Sequence, residues 1–256
     1  MSVASQAGVP CFTADVEAFR RHGHVRVHGF YREAEIARIA AVLQKAKRAA
    51  QRPAGDADRS LTRDAFLSRH CDEVAAFTQD RRLGALAAYL LGARSIRLIH
   101  DVLLEKGYGQ GDTPWHRDSD FWAFDGIGAV TAWIPLQPTS LAMSPLRYAS
   151  GSHRSRNSRP ERRFSRTLVP LRYRVHSSEL DAGDVVLHHY RTLHGAGRNR
   201  ERQPRRALAV HLIDGDARVR LPRCAEQLEH AVRCGWMRLQ DGEPFTDEIA
   251  PLVYEA

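Results

Sequence analysis

Gly183–Asp214 reads GDVVLHHYRTLHGAGRNRERQPRRALAVHLID, and the fold reading turns on it. Two apolar runs, Val185–Leu187 and Ala207–Ile213, flank a connection rich in Gly and Arg. Short runs of this kind, β-branched or alternating and bounded by turn residues, read as strands rather than helices. His188 and His189 are adjacent and face opposite ways on a strand, so one of them is a core or surface histidine. His194 is followed by Gly195 and Gly197, which would let the backbone pass close to a bound group. Arg205 opens the next strand and shares a face with Ala207 and Ala209, small residues that leave room beside a guanidinium. Such a planar fork can hold one end of a dicarboxylate through two hydrogen bonds, whereas Arg206 faces the other way.

Upstream of this stretch the texture divides in two. Residues 15–22 read as a short helix and HVRVHGF (24–30) as a strand. Arg32–Ala50 is an amphipathic helix with Ile36, Ile39, Ala40 and Leu43 on one face. QRPAGDADRS (51–60) reads as a polar loop, and residues 72–92 as a further helix ending on Gly92. From there SIRLIHDVLLEK (95–106), AVTAWIPLQP (129–138) and TLVPLRYRVH (167–176) read as short strands, and CAEQLEHAVRCGW (224–236) as a late outer helix. Helices first and strands afterwards predict an α+β chain, mainly β, whose later part is a sandwich or jelly roll. One domain spanning 1–256 is expected: a helical N-terminal part over about 15–92, a β core over about 94–214 and a helical tail over 215–256.

Composition narrows the function. The formal charge is +8, but only three of the 38 basic residues are lysines (Lys45, Lys47, Lys106). The arginines are scattered apart from a cluster at His153–Arg166, with no nucleic-acid motif around it, so attraction of small anionic substrates is expected rather than nucleic acid. No apolar run is long enough to cross a membrane, and MSVASQAGVPCF lacks the layout of a secretory signal. Cys11, Cys71, Cys224 and Cys234 form no C-x-x-C pair, as expected of reduced thiols in a cytoplasmic protein.

TPWHRDSDFW (113–122) holds the other chemical signal. On a strand, His116 and Asp118 project from one face with Cα atoms about 6–7 Å apart, close enough to share a metal ion. A third ligand would complete the two-histidine, one-carboxylate triad of non-haem iron(II) oxygenases. Asp120 lies on the same face, so spacing does not separate it from Asp118, and a polar surface strand would look the same. His194 and Arg205 supply what the short motif lacks.

Taken in order, FRRHGHVRVHGFY (19–31), WHRDSDFW (115–122), VTAWIPLQP (130–138), SPLRYASGSHR (144–154) and the 182–212 stretch resemble the phytanoyl-CoA dioxygenase-like family of iron(II)- and 2-oxoglutarate-dependent oxygenases. The resemblance implies a double-stranded β-helix (a cupin-like jelly roll) with N-terminal helices packed outside it. It implies iron ligation by His116, Asp118 and His194, and so favours Asp118 over Asp120. It also implies a 2-oxoglutarate carboxylate on Arg205, with Trp133 beside the co-substrate. Many relatives carry a hydroxyl residue where Ala196 stands, leaving the co-substrate one hydrogen bond short here. Halogenating relatives replace the carboxylate ligand by a small residue, and Asp118 argues against that chemistry.

The expected activity is hydroxylation of a C–H bond in a small, specialised metabolite, with dioxygen as co-substrate and succinate and CO2 released. Desaturation, epoxidation and cyclisation remain open alternatives, as does a cupin-like metalloenzyme that does not use 2-oxoglutarate. A non-catalytic binding protein would have no need of the intact triad. Trp115, Phe121, Trp122 and Phe124 are candidates for an apolar substrate wall, and Asp120 and Arg147 for polar substrate contacts. Loops 106–114 and 153–166 are long enough to act as lids.

Overall fold

In the computed structural model, which describes residues 16–49, 61–155 and 168–256, the strand that Arg205 opens runs through the centre of the molecule. The chain order is α1 (Val16–His22), β1 (His24–Val27), α2 (Glu33–Ala49), β2 (Thr62–Ala65), α3 (Asp72–Thr78), α4 (Arg81–Leu91) and β3 (Ser95–Lys106). Then come β4 (Thr113–His116), β5 (Phe124–Asp125), β6 (Ala129–Pro135), β7 (Arg147–Ala149), α5 (Leu168–Arg172) and β8 (Val175–His176). The chain continues through β9 (Val185–His189), β10 (His194–Ala196), β11 (Arg205–Asp214), β12 (Arg218–Val219), α6 (Ala225–Cys234) and β13 (Leu252–Glu255).

Two sheets make the jelly roll. The larger has the order β1-β9-β6-β11-β3-β13, with β2 also on β3, and the smaller has the order β4-β10-β7-β8. β11 shows why the sequence alternates as it does. Leu208, Val210 and Leu212 join Ile36, Leu43, Leu83 and Leu86 in one buried cluster between the larger sheet and helices α2 and α4. Arg205, Ala209 and His211 line a cavity between the sheets. One strand thus serves a dry core and a polar site on opposite faces.

The outer edge of β3 is covered from both ends of the chain. β2 pairs with Val102–Glu105 and β13 with Ser95–Arg97. The tail over 215–256 is therefore not simply helical, because its last strand completes the larger sheet. The helical N-terminal part likewise contributes two strands, β1 and β2, to that sheet.

Residues 72–92 form two helices, not one. Asp80 leaves helical geometry and its carboxylate accepts from the Arg82 N–H, capping α4 at a gain of about 1 kcal/mol. α4 ends on Gly92 at φ 72°, as the sequence suggests. A strand over TLVPLRYRVH does not form as a whole: Leu168–Arg172 is a helical turn and only Val175–His176 is extended. The polar loop 51–60 and most of the basic cluster lie outside the described residues.

Candidate active site

β4 and β10 are antiparallel neighbours, and His116 and His194 stand directly opposite each other in that pairing. Their rings lie 4.2 Å apart between centroids. Each imidazole has one nitrogen spoken for: His116 Nδ1 lies 2.9 Å from the Pro114 carbonyl and His194 Nδ1 3.0 Å from that of Thr192. A carbonyl can only accept, so both Nδ1 atoms carry the proton and both Nε2 lone pairs are free.

Asp118 reaches the site differently from the i, i+2 strand geometry expected. β4 ends at His116, and Asp118 begins a 3-10 turn over Asp118–Asp120. The Ser119 N–H donates to the Tyr190 carbonyl and Arg117 Nε to the Arg191 carbonyl, fixing the turn to the β9–β10 corner. Asp118 Oδ1 then lies 4.0 Å from His116 Nε2 and 3.6 Å from His194 Nε2. Its other oxygen is occupied: Oδ2 accepts from Thr131 Oγ1 at 2.7 Å and lies 3.2 Å from His188 Nε2. One carboxylate oxygen is thus held by the protein while the other faces two free imidazole lone pairs.

The electrostatics agree. Burial by itself would raise the Asp118 carboxyl, but His194 and the His188 hydrogen bond outweigh it and hold it well below the usual range. Burial first, then a neighbouring histidine in each case, lowers His116 and His194 to about 4. At neutral pH the site therefore offers an anionic oxygen and two neutral nitrogens, the protonation states a divalent cation requires.

Arg205 lies across the cavity on β11. It is 1% exposed, its Nη1 donates to the Ser144 carbonyl at 2.6 Å, and its guanidinium lies 5.3 Å from the Trp133 ring. Burial brings it down to about 10, so it remains a cation, and among the described residues no carboxylate pairs with it. Arg205 Nε and Trp133 Nε1 are buried without a hydrogen-bond partner among the described residues. Unpaired buried cations are costly, and this one is shaped to receive an anion. Ala196 is fully buried in the neighbouring cluster, and its cross-strand partner Thr113 is a hydroxyl residue lining the cavity. Thr113 Oγ1 accepts from Lys106 Nζ at 3.2 Å, and Lys106 also donates to the carbonyls of Gly111 and Gly197.

The cavity measures about 480 Å³, within the usual range for small-molecule sites. Phe121 and Trp122 line it, with Leu61, Val102 and Leu104. The other proposed substrate residues do not. Trp115, alternate to His116 on β4, turns away and packs with Ala149, Val169 and Leu193. Asp120 receives the Arg117 N–H within its own turn, Phe124 packs beside Tyr190, and Arg147 stacks on Trp115 near Asp112. Loop 106–114 is tied down here through Lys106 and by the Gly109 N–H on the Asn199 carbonyl. Gly195 is required by strand packing: a Cβ there would meet the Thr113 carbonyl at 2.9 Å.

Sequence reasoning left His188, Thr131 and His211 without roles. His188 and Thr131 hold Asp118, and His211 Nδ1 lies 2.9 Å from Thr131 Oγ1. Strand alternation was the available signal for His211, which shares a face with Arg205 six residues earlier.

Residues 19–207 match the family described as phytanoyl-CoA dioxygenase (PhyH). A probable alpha-ketoglutarate-dependent hypophosphite dioxygenase of Stutzerimonas stutzeri is 22% identical over 220 residues, 76% of each chain. Among solved structures, the non-haem alpha-ketoglutarate-dependent epimerase SnoN from nogalamycin biosynthesis superposes with a TM-score of 0.76 at 24% identity, covering 93% of this chain and 96% of its own. The carbocyclase SnoK from the same biosynthesis gives 0.78 at 25%, covering 93% and 94%. SnoN has also been solved with Fe3+, alpha-ketoglutarate and nogalamycin RO, at 26% identity and a TM-score of 0.73, with 93% and 96% covered.

Proposed function

This chain belongs to the phytanoyl-CoA dioxygenase (PhyH) family, and from that premise we propose that it oxidises a C–H bond of a small specialised metabolite, using iron(II), 2-oxoglutarate and dioxygen. The observation that carries the site assignment is the division of Asp118: Oδ2 is held by Thr131 and His188, while Oδ1 faces the Nε2 atoms of His116 and His194. His116, Asp118 and His194 would hold the metal, three ligands that leave further coordination positions open. Bound iron and 2-oxoglutarate supply dioxygen activation, with succinate and CO2 released.

The chain's own residues set up that chemistry. The Pro114 and Thr192 carbonyls orient the two ligand rings, and Thr131 and His188 orient the carboxylate. Arg205 would take the distal carboxylate of the co-substrate, replacing a missing counter-ion with a bidentate pair. Thr113 would supply the hydroxyl that Ala196 lacks, from the adjacent strand. Trp122, Phe121, Leu61 and Val102 would hold the substrate's apolar body and exclude water.

Hydroxylation is the outcome we propose. The likeness to an epimerase and a carbocyclase supports a second reading, in which hydrogen removal ends in inversion or ring closure. Anaerobic addition of iron(II) and then 2-oxoglutarate should give a visible charge-transfer band, lost in Asp118→Ala and His194→Ala. A full band in both variants would sink the ligand assignment. With a turned-over substrate, product mass separates the outcomes: one oxygen gained for hydroxylation, none for epimerisation, two hydrogens lost for ring closure.

A further inference from the structure

A second set of donors meets the same cavity and shares no residue with the proposed iron ligands. His230 and Cys234 stand four residues apart on α6, hence on one helix face, and β3 presents His100 to them. All three offer a ligand atom within 4.8 Å of the others. Cys234 Sγ lies 3.4 Å from His230 Nε2. In a tetrahedral zinc site, bonds of about 2.3 Å to sulfur and 2.0–2.1 Å to nitrogen separate those two ligand atoms by roughly 3.6 Å. Sγ also lies 3.7 Å from Nδ1, so it sits beside the ring rather than ahead of either lone pair, and a turn of the His230 ring would bring Nε2 to face a metal shared with the thiolate.

Packing accounts for part of this arrangement: His100 stacks on Phe66 at 5.0 Å and His230 meets Trp236 edge-on at 5.1 Å. Packing does not account for the nitrogens. Among the described residues His100 Nδ1 is buried with no hydrogen-bond partner, and the His230 ring nitrogens meet only the weakly bonding Cys234 sulfur. A buried nitrogen in this state is open to a ligand, and here it faces two further donors. Burial also keeps both imidazoles unprotonated at neutral pH, so their lone pairs are available.

We propose that His100, His230 and Cys234 form a second metal site, for zinc or a divalent ion of similar affinity for thiolate. Two imidazoles and one thiolate suit that class of ion better than they suit magnesium or calcium. Binding releases the Cys234 thiol proton to solvent as the metal–sulfur bond forms, so the ion must favour sulfur strongly. His100 and His230 line the cavity, so the fourth position opens onto it and would take an oxygen of a bound substrate.

Cobalt(II) titration of the metal-stripped, reduced protein tests this independently of the iron reading. The wild type should bind two equivalents, one with a thiolate-to-cobalt charge-transfer band in the near ultraviolet that zinc abolishes. Cys234→Ser and His230→Gln should each lose that band and one equivalent, while His194→Ala loses one equivalent but keeps the band. A single equivalent without the band in the wild type overturns the proposal, whether or not the variants fold. A band that survives in a folded His230→Gln protein also overturns it. If the iron reading alone were wrong, the wild type would keep the band and His194→Ala would still bind as much cobalt as the wild type.

Discussion

The two groups of imidazoles around the cavity are built differently. His116 and His194 each commit Nδ1 to a backbone carbonyl, and the carboxylate between them is held by two further side chains. Among the described residues His100 and His230 have no such carbonyl partner, and their sulfur neighbour is a buried thiol that burial pushes up to about 12. The first group is pre-organised in tautomer, charge and direction, and the second is only gathered. Preorganisation resides in the partners of the ligands, and it is there that the comparison can be tested.

The largest effect is expected from the pre-organised group. Asp118→Ala or His194→Ala should abolish 2-oxoglutarate turnover to succinate, measured directly; turnover near the wild-type level in both would erase the distinction. Next, Arg205→Ala should raise the 2-oxoglutarate concentration needed for half-maximal turnover about 100-fold, because a charged hydrogen-bonded pair is lost. Thr131→Val removes a hydrogen bond to the carboxylate and no proposed ligand, and should weaken iron(II) affinity about 10-fold by equilibrium titration. An unchanged affinity would mean that the partners of Asp118 contribute nothing.

A smaller effect should appear in the pH dependence of the metal-free protein. His116 and His194 are lowered to about 4 and His230 to about 3, against 6.5 for an ordinary imidazole. The folded state binds fewer protons than the unfolded state between those values. Stability should therefore be complete above about pH 6.5 and fall as the pH drops towards 4 and then 3. Thermal melts should show this loss, reduced in His230→Gln. Smallest of all, Ala196→Ser should lower the 2-oxoglutarate requirement only severalfold, because Thr113 already offers a hydroxyl from the next strand.

The legible part of the site was the part written in strand periodicity. Arg205, Ala207 and Ala209 share a face because alternate residues on β11 do, and the short apolar runs with Gly and Pro between them marked the jelly roll. Asp118 is a candidate in the sequence, but its geometry is not legible there, since the strand ends two residues before it. Thr131 looked like any residue of an apolar strand, and the adjacent pair His188–His189 does not say which of the two turns inward. Trp115 looked like a substrate contact because it adjoins His116, yet adjacency on a strand means opposite faces. The docking of α6 beside β3 depends on contacts more than 100 residues apart, which no local pattern records.

The long outer edge of β3 is shared by β2, from residues 62–65, and β13, from residues 252–255. During synthesis the first of these partners leaves the ribosome before β3 and the second only after the rest of the barrel. The edge over Ser95–Arg97 thus stays open, a template for pairing with another nascent chain, until residues 252–255 emerge. Residues 252–255 therefore close a stretch of sheet edge that would otherwise be open to pairing with another chain.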